Sequence, residues 1–469
     1  MNARQSSPVQ QVPESSTAAV SGDVKSSGGP AGGFLGQADS RRRLARMGML
    51  LWMVLLYATV QPGLMSNDSI DQYGQGLAGS YSDVHPPLGS WLLGLSGRLV
   101  GSPWLVLVLQ LAMLSGCMAL LARSSDARAG RRGLVVLGAF LLVPTVWSLA
   151  VVLWKDVMVA ALLLAAVAAL KSRRPVLSLF LLCLGVAYRH NALVAAVPLA
   201  LPVVAQLAPA PRWRFPARVL VFMCVVPGLV ITPVVVNQVL HAQKAWAAGQ
   251  LFLYDLAGIY VAHPESFQGS LLEGETSVPE LTKLYNISHV WPLFGGVEGA
   301  RPIAFGSLEA RRADFVAEWK RVVRQHPKAW MKHRVAVFRR MLGADPHPVW
   351  NAFHQQIDPN PWQMKPPTDG FLFRTMLRIE NALSSSFFFR GWVWLLGLTG
   401  VTLVALRRVK RHSLAFFTGM SGLAYASAYL VIGIGSDFRF IYWSVIAVFA
   451  TLALLVCPPE QTESPDSLA

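Results

Sequence analysis

The 469-residue chain is 53% hydrophobic and only 14% charged, a composition that excludes an ordinary soluble domain. Apolar runs long enough to cross a bilayer recur along it, so the expected fold class is an all-α integral membrane protein with about ten transmembrane helices. The net charge of +16 sits in short Lys/Arg-rich loops between those runs, a positive-inside pattern and not a nucleic-acid footprint.

Residues 1–40 are rich in Ser, Gly, Pro and Ala, lack apolar periodicity, and read as a disordered cytoplasmic tail. Arg41-Arg42-Arg43 precede a first span from about Met47 to Gln61, too far from the start for an ordinary cleaved signal peptide. Its basic flank places the N-terminus in the cytoplasm. The stretch Asn67–Leu88, NDSIDQYGQGLAGSYSDVHPPL, is then exoplasmic. Asp68 to Leu77 suits a short amphipathic helix, and Pro86-Pro87 can open a second, through about Val100, lying along the membrane surface.

Spans two (about Pro103–Ala122), three (about Gly133–Leu153), four (starting at Lys155-Asp156), five (ending at Arg189-His190), six and seven (about Val219–Val239) complete an N-terminal module over 41–239. Its first exoplasmic loop is 62–100. A long exoplasmic segment over 240–390, between spans seven and eight, is too polar to span and carries helical pieces at Glu309–Arg324 and Pro327–Leu342. Spans eight (about Gly391–Leu406), nine and ten fill 391–457, before a cytoplasmic tail at 458–469. Lys and Arg collect in RSSDARAGRR, KSRR, PRWRFPAR and RRVKRH, all on the inner side by this alternation.

The outer turns carry different residues: Asp68, Asp71, Asp83 and His85, then Lys155 and Asp156, Arg189 and His190, and Asp437 and Arg439. Ionisable groups at the edge of hydrocarbon are costly and point to function. A carboxylate can take a proton from an acceptor hydroxyl, and cations can hold a departing phosphate. Asp68 is the first choice of base and Asp71 the second. Asp83 and His85 are assigned to substrate contact, and Lys155, Arg189 and Arg439 to the lipid phosphate, with Asp156 and His190 as further substrate-binding candidates. Blander roles stand beside these: a helix cap for either Asp, a turn for Asp83 and His85, snorkelling for Lys155, and pairing with Asp437 for Arg439. Tyr254-Asp255 and His263 are weaker candidates for acceptor contact, and Lys332-His333-Arg334 reads as a charged helix face near headgroups. Cys117, Cys183, Cys224 and Cys457 suit neither a disulfide framework nor zinc. No metal is assigned from residue spacing, although a divalent ion is left open; an organic cofactor is not expected.

Soluble nucleotide-activated donors are made in the cytoplasm, so an exoplasmic transferase calls for a donor anchored in the bilayer. A polyprenyl-phosphate sugar meets that need. Asp83-Val84-His85-Pro86-Pro87-Leu88-Gly89 resembles the DVHPPLG element of the protein O-mannosyltransferases, with NDSIDQYGQ where their acidic motif would stand. That motif reads Asp-Ser-Ile-Asp here and not Asp-Glu. Lys155-Asp156 resembles the second acidic site of the wider GT-C glycosyltransferases. Arg189 falls where the lipid A aminoarabinose transferases carry a phosphate-binding base, and Asp437-Phe438-Arg439-Phe440 resembles the Arg-Tyr element near the end of such enzymes. The resemblance implies a GT-C-like membrane glycosyltransferase that takes a polyprenyl-phosphate sugar and a glycan, lipid or protein acceptor, without nucleic acid. It would lie among membrane lipids, in a bacterial inner membrane. A lipid transporter or flippase, and a non-catalytic envelope assembly protein, are the alternatives.

Overall fold

The structure, a computed structural model, describes residues 31–208, 214–347 and 349–459. The tails at 1–30 and 460–469, and the start of the basic PRWRFPAR loop, lie outside the described residues. Helix α1 (Ala31–Val60) begins inside the stretch read as tail and leads to α2 (Asn67–Ala78) and α3 (Pro87–Val100). The apolar first half continues through α4 (Trp104–Leu121), α5 (Ala127–Leu142), α6 (Pro144–Ala150), α7 (Lys155–Lys171), α8 (Pro175–Tyr188), α9 (Ala192–Leu207) and α10 (Arg214–Val239). The 240–390 segment holds α11 (Ala247–Ala262), α12 (Val278–Leu284), α13 (Pro292–Gly295), α14 (Phe305–Ala310), α15 (Arg312–Gln325), α16 (Pro327–Met341) and α17 (Phe371–Leu383). The chain closes with α18 (Gly391–Arg407), α19 (Val409–Ile432) and α20 (Tyr442–Val456).

Among the described residues, five helical stretches are long and apolar enough to cross a membrane, and a sixth if α5 and α6 count as one bent span. The expected count of ten is therefore not reached by length and composition. Helices α7, α8, α9 and α18 have 14–17 residues, roughly 21–26 Å at ~1.5 Å per residue, against a hydrocarbon core of about 30 Å. Span three, expected to be continuous, is broken by 58°. Pro144 opens α6, and Val143 before it is extended at ψ 124°. A residue ahead of proline is pushed out of the helical region by the proline ring, which ends α5 there.

Helix α7 is the centre of the bundle. Every residue from Asp156 to Leu170 is buried, because α4, α8, α9 and α20 pack around it. Its side chains are Ala, Val, Leu and Met on all faces, as a helix with no outward side requires. Its N-terminus is thereby fixed against the outer loops.

Two devices bring those loops to it. The first is the crossing of α2 and α3, where the backbones touch: a Cβ on Gly76 would lie 2.0 Å from the Ser90 carbonyl oxygen, and one on Gly94 would lie 2.2 Å from the Gly76 carbonyl. Arg98, at the end of α3, donates from Nη1 to that Gly76 carbonyl at 2.5 Å. The second is a small extended ladder. Leu64 N–H donates to Val151 O at 3.1 Å and Leu153 N–H to Leu64 O at 2.9 Å. On the other side, Met65 N–H donates to Gln356 O at 3.2 Å and Asp358 N–H to Met65 O at 2.9 Å. Three distant parts of the chain are thus hydrogen-bonded side by side beneath the start of α2.

The 240–330 region builds its own apolar core around Trp246, Tyr254, Tyr260 and Phe315. Tyr254 and Asp255 are buried within it, so they are structural and do not face an acceptor. His263 lies outside that core and bonds its neighbour Glu265 at 3.0 Å. His333 and Arg334, expected on an exposed helix face, are likewise buried. Arg334 pairs with Asp255 at 2.7 Å and donates to Gly433 O at 2.7 Å, tying this core to the end of α19.

Gly94→Ala should destabilise the fold by about 1–3 kcal/mol or more, because the new methyl meets backbone that cannot rotate away. Gly116→Ala on α4, where an added Cβ meets nothing within 4 Å, should leave the melting temperature unchanged. Thermal unfolding of the two purified variants in detergent compares them directly.

Candidate active site

A cavity of about 630 Å³ opens above the start of α7. Its lining comes from six parts of the chain: the start of α2, the 84–85 turn, Trp154, the 289–291 turn, the 350–358 loop and the 437–439 turn. Asp68 occupies the first turn of α2, and the N-cap position belongs to Ser66. Neither Asp68 nor Asp71 therefore spends its carboxylate on capping. Asp68 sits where the positive end of the helix dipole favours an anion.

Arg439 is the hub. Its Nη2 lies 2.9 Å from Asp68 Oδ2 and 3.3 Å from Asp437 Oδ2. Its guanidinium stacks 4.6 Å over the Trp154 ring, a cation–π contact that holds a planar cation flat. Trp154 is held in turn by Nε1 donating to Ser66 Oγ at 2.8 Å. Asp437 accepts at Oδ1 from Asn351 Nδ2 at 2.8 Å. Arg439 Nε has no hydrogen-bond partner among the described residues.

A second chain runs from Lys155. Its ammonium lies 2.6 Å from His85 Nδ1. An ammonium only donates, so Nδ1 is the acceptor and Nε2 carries the ring proton. That Nε2 faces Asp68 Oδ1 at 3.9 Å. Burial and the adjacent Lys155 charge push the His85 imidazole down to about 3, so it is neutral at ordinary pH. Burial alone would raise the Asp68 carboxyl, but Arg439, Lys155 and His85 outweigh it and hold Asp68 well below the usual carboxylate range. Asp71 is different: burial raises its carboxyl above the usual value, opposed by a hydrogen bond from Gln75 Nε2 at 2.7 Å. Two carboxylates three residues apart on α2 thus have opposite proton affinities.

Of the residues anticipated from sequence, Asp68, Asp71, His85 and Arg439 line the cavity. Lys155 stands behind His85. Asp156 and Arg189 are not among the lining residues; they form a buried pair at 2.5 Å. Arg189 also donates from Nε to Asn191 Oδ1 at 2.8 Å, and Asn191 donates to Tyr429 OH at 2.6 Å. Phe440 lies against both arginines, 5.2 Å from Arg189 and 5.4 Å from Arg439. Asp83 pins its turn to the 243–245 segment, accepting from Ala245 N–H at 2.5 Å while its own N–H donates to Gln243 O at 3.0 Å. His190 is exposed and does not line the cavity.

Sequence reasoning missed the wall supplied by the 240–390 segment. His289, Trp291, Trp350, His354 and Asp358 all face this cavity. His289 stacks on Trp350 with ring centroids 4.6 Å apart. Asp358 Oδ2 accepts from Asn67 N–H at 2.8 Å and Oδ1 from Gln356 Nε2 at 2.6 Å, so it fixes the start of α2. The only signal was a local one, aromatics and histidines in a stretch without helical period. No group of three or more His, Cys, Asp or Glu suited to a metal is found among the described residues. Chemically, the cavity offers an open carboxylate, a guanidinium cation and indole side chains in its lining.

Stability should fall as pH drops from about 6.5 towards 4, because the unfolded chain then takes up a proton that folded His85 refuses. His333, also pushed down to about 3 by burial and Arg334, adds to the same loss. His85→Gln should reduce the fall in melting temperature between pH 7 and pH 4.5 without abolishing it. Differential scanning fluorimetry across that range checks this.

No known family model matches the chain, and no curated protein matches it. Among solved structures, the archaeal oligosaccharyltransferase AglB from Archaeoglobus fulgidus, in complex with an inhibitory peptide and a dolichol-phosphate, is similar at 13% sequence identity with a TM-score of 0.38. The match covers 89% of this chain and 50% of that one, so this chain spans about half the length of that protein.

Proposed function

We propose that the chain is an integral membrane glycosyltransferase of the GT-C type. It moves a sugar from a polyprenyl-phosphate donor to an acceptor hydroxyl on the exoplasmic face of a bacterial inner membrane, by a single inverting displacement. The observation that carries this reading is the convergence of Asp68, Asp71, His85 and Arg439 on one cavity at the outer ends of the helices. The short helices α7, α8, α9 and α18 are taken as further spans packed within the bundle.

In the reaction, the acceptor oxygen attacks C1 of the sugar as a carboxylate removes its proton. The bond from C1 to the phosphate oxygen breaks, and its electron pair leaves with the lipid phosphate. Arg439 neutralises the phosphate through its guanidinium charge and through whatever share of Nη2 it wins from Asp68 and Asp437. Lys155 adds a second positive charge through its contact with His85. Efficient base catalysis wants a proton affinity near the working pH. Asp71, whose carboxyl is raised and whose charge is not claimed by a cation, meets that better in the resting site than Asp68. Asp68 serves as the partner that orients Arg439, and becomes available as a base when the donor phosphate draws Arg439 away. The indoles of Trp154, Trp291 and Trp350 line the space for the sugar. The Asp156–Arg189 pair supports the site from beneath, through Phe440.

The two acids are separable by experiment. Asp71→Asn should lower kcat by ~10²–10⁴-fold, the usual worth of a general base, with little change in donor KM. Asp68→Asn should lower kcat and also shift donor KM, because Arg439 loses its orienting partner. The measurement is transfer from a radiolabelled polyprenyl-phosphate sugar in detergent. Full activity in both variants would end the glycosyltransferase reading, and label crossing liposomes without acceptor would favour a flippase.

A further inference from the structure

A second cavity, of about 660 Å³, lies at the opposite ends of the same helices. Helix α7 measures the separation. Lys155 at its start contacts His85, whereas Leu170 near its end lines this other space. Seventeen residues lie between those ends, or roughly 25 Å at ~1.5 Å per residue. The walls come from α9, α10 and α19 and are apolar, with Leu201, Val219 and Phe222 facing inward. The polar part of the lining is Gln206, Ser413 and three cations, Arg173, Arg218 and Lys410, each cation exposed. No Asp or Glu lines the cavity among the described residues.

We propose that this cavity is a binding site for one anionic phospholipid, taken from the leaflet at that face. The apolar wall suits an acyl chain, and the three cations suit a headgroup phosphate with no compensating ammonium. A basic pocket between membrane-crossing helices is a physically sound place for such a headgroup. A zwitterionic lipid would bring a positive charge among three others, with no acid among the described lining residues to receive it. The proposal rests on α10 and α19 as membrane-crossing helices, which their length and composition support. It does not depend on sugar transfer.

The apolar wall is what separates this site from the general basicity of the loops. Loop charge alone would attract anionic lipid to the surface without fixing one molecule between helices. Charge and groove can therefore be removed independently. Arg173→Gln, Arg218→Gln and Lys410→Gln remove the cations singly. Ala205→Trp keeps every charge and fills the groove that Ala205 lines.

The test is native mass spectrometry of the full-length protein, delipidated and titrated with phosphatidylglycerol or phosphatidylcholine. One phosphatidylglycerol should be retained at least about tenfold more tightly than phosphatidylcholine. Each single Gln variant should weaken phosphatidylglycerol by roughly three- to tenfold. Ala205→Trp should weaken it as much. Equal retention of the two lipids by the wild-type chain would overturn the proposal. So would phosphatidylglycerol retention unchanged in Ala205→Trp, which would reduce the effect to loop charge. Because the readout is lipid mass on intact protein, failure here leaves the transferase reading untouched, and failure of that reading leaves this one standing.

Discussion

One guanidinium organises the end of the bundle at which α7 begins. Arg439 arrives from the turn before α20, meets Asp68 from α2, shares itself with Asp437, and lies flat on Trp154 at the head of α7. Those contacts join segments separated by most of the chain. A buried cation with two carboxylates and an aromatic face is over-determined in position. The same arrangement leaves a net negative tendency that the nearby Lys155 ammonium offsets.

Around that hub the fold supplies rigidity at several depths. The α2–α3 crossing sets the height of Asp68 and Asp71 by backbone contact, with no side chain to give way. The extended ladder through Leu64 and Met65 locks α2 to the head of α7 and to the 356–358 loop. Beneath, Asp156 and Arg189 neutralise one another in apolar surroundings, where a lone charge would be costly. Phe440 transmits that packing to Arg439. The site is loop-rich in sequence but is held from four sides.

Much of this is legible in the residues before any coordinates. The helices about the DVHPPLG turn follow from amphipathic spacing and from proline at a first turn, and both fall within a residue or two of the reading. The grouping of Asp68, His85, Lys155 and Arg439 follows from loop alternation alone. What the alternation does not contain is depth. Arg189 sits at the expected end of the bundle but outside the cavity lining, because Asp156 in the first turn of α7 takes its charge. Asp83 looks like a ligand and serves as a pin. The wall formed by His289, Trp350 and Asp358 arises from pairing between residues hundreds apart, and no local period signals such contacts. Length and composition do not establish the ten spans for a related reason. Helices α7 to α9 are apolar enough but short, and hydropathy reports composition more readily than it reports where a helix stops.

Arg334 carries its charge from the 240–330 core to the carbonyl of Gly433, four residues before Asp437. Separating it from Asp255 would strand a buried ion at a cost of about 3–5 kcal/mol. Asp255 and Arg334 both lie within 240–390, and their link to the 433–439 turn ends on a backbone carbonyl that any side chain at 433 would leave in place. The sequence requirement of that joint therefore lies wholly on one side of it. Replacing Asp255 or Arg334 singly, and not exchanging the whole segment, is what would release the turn that leads to Arg439.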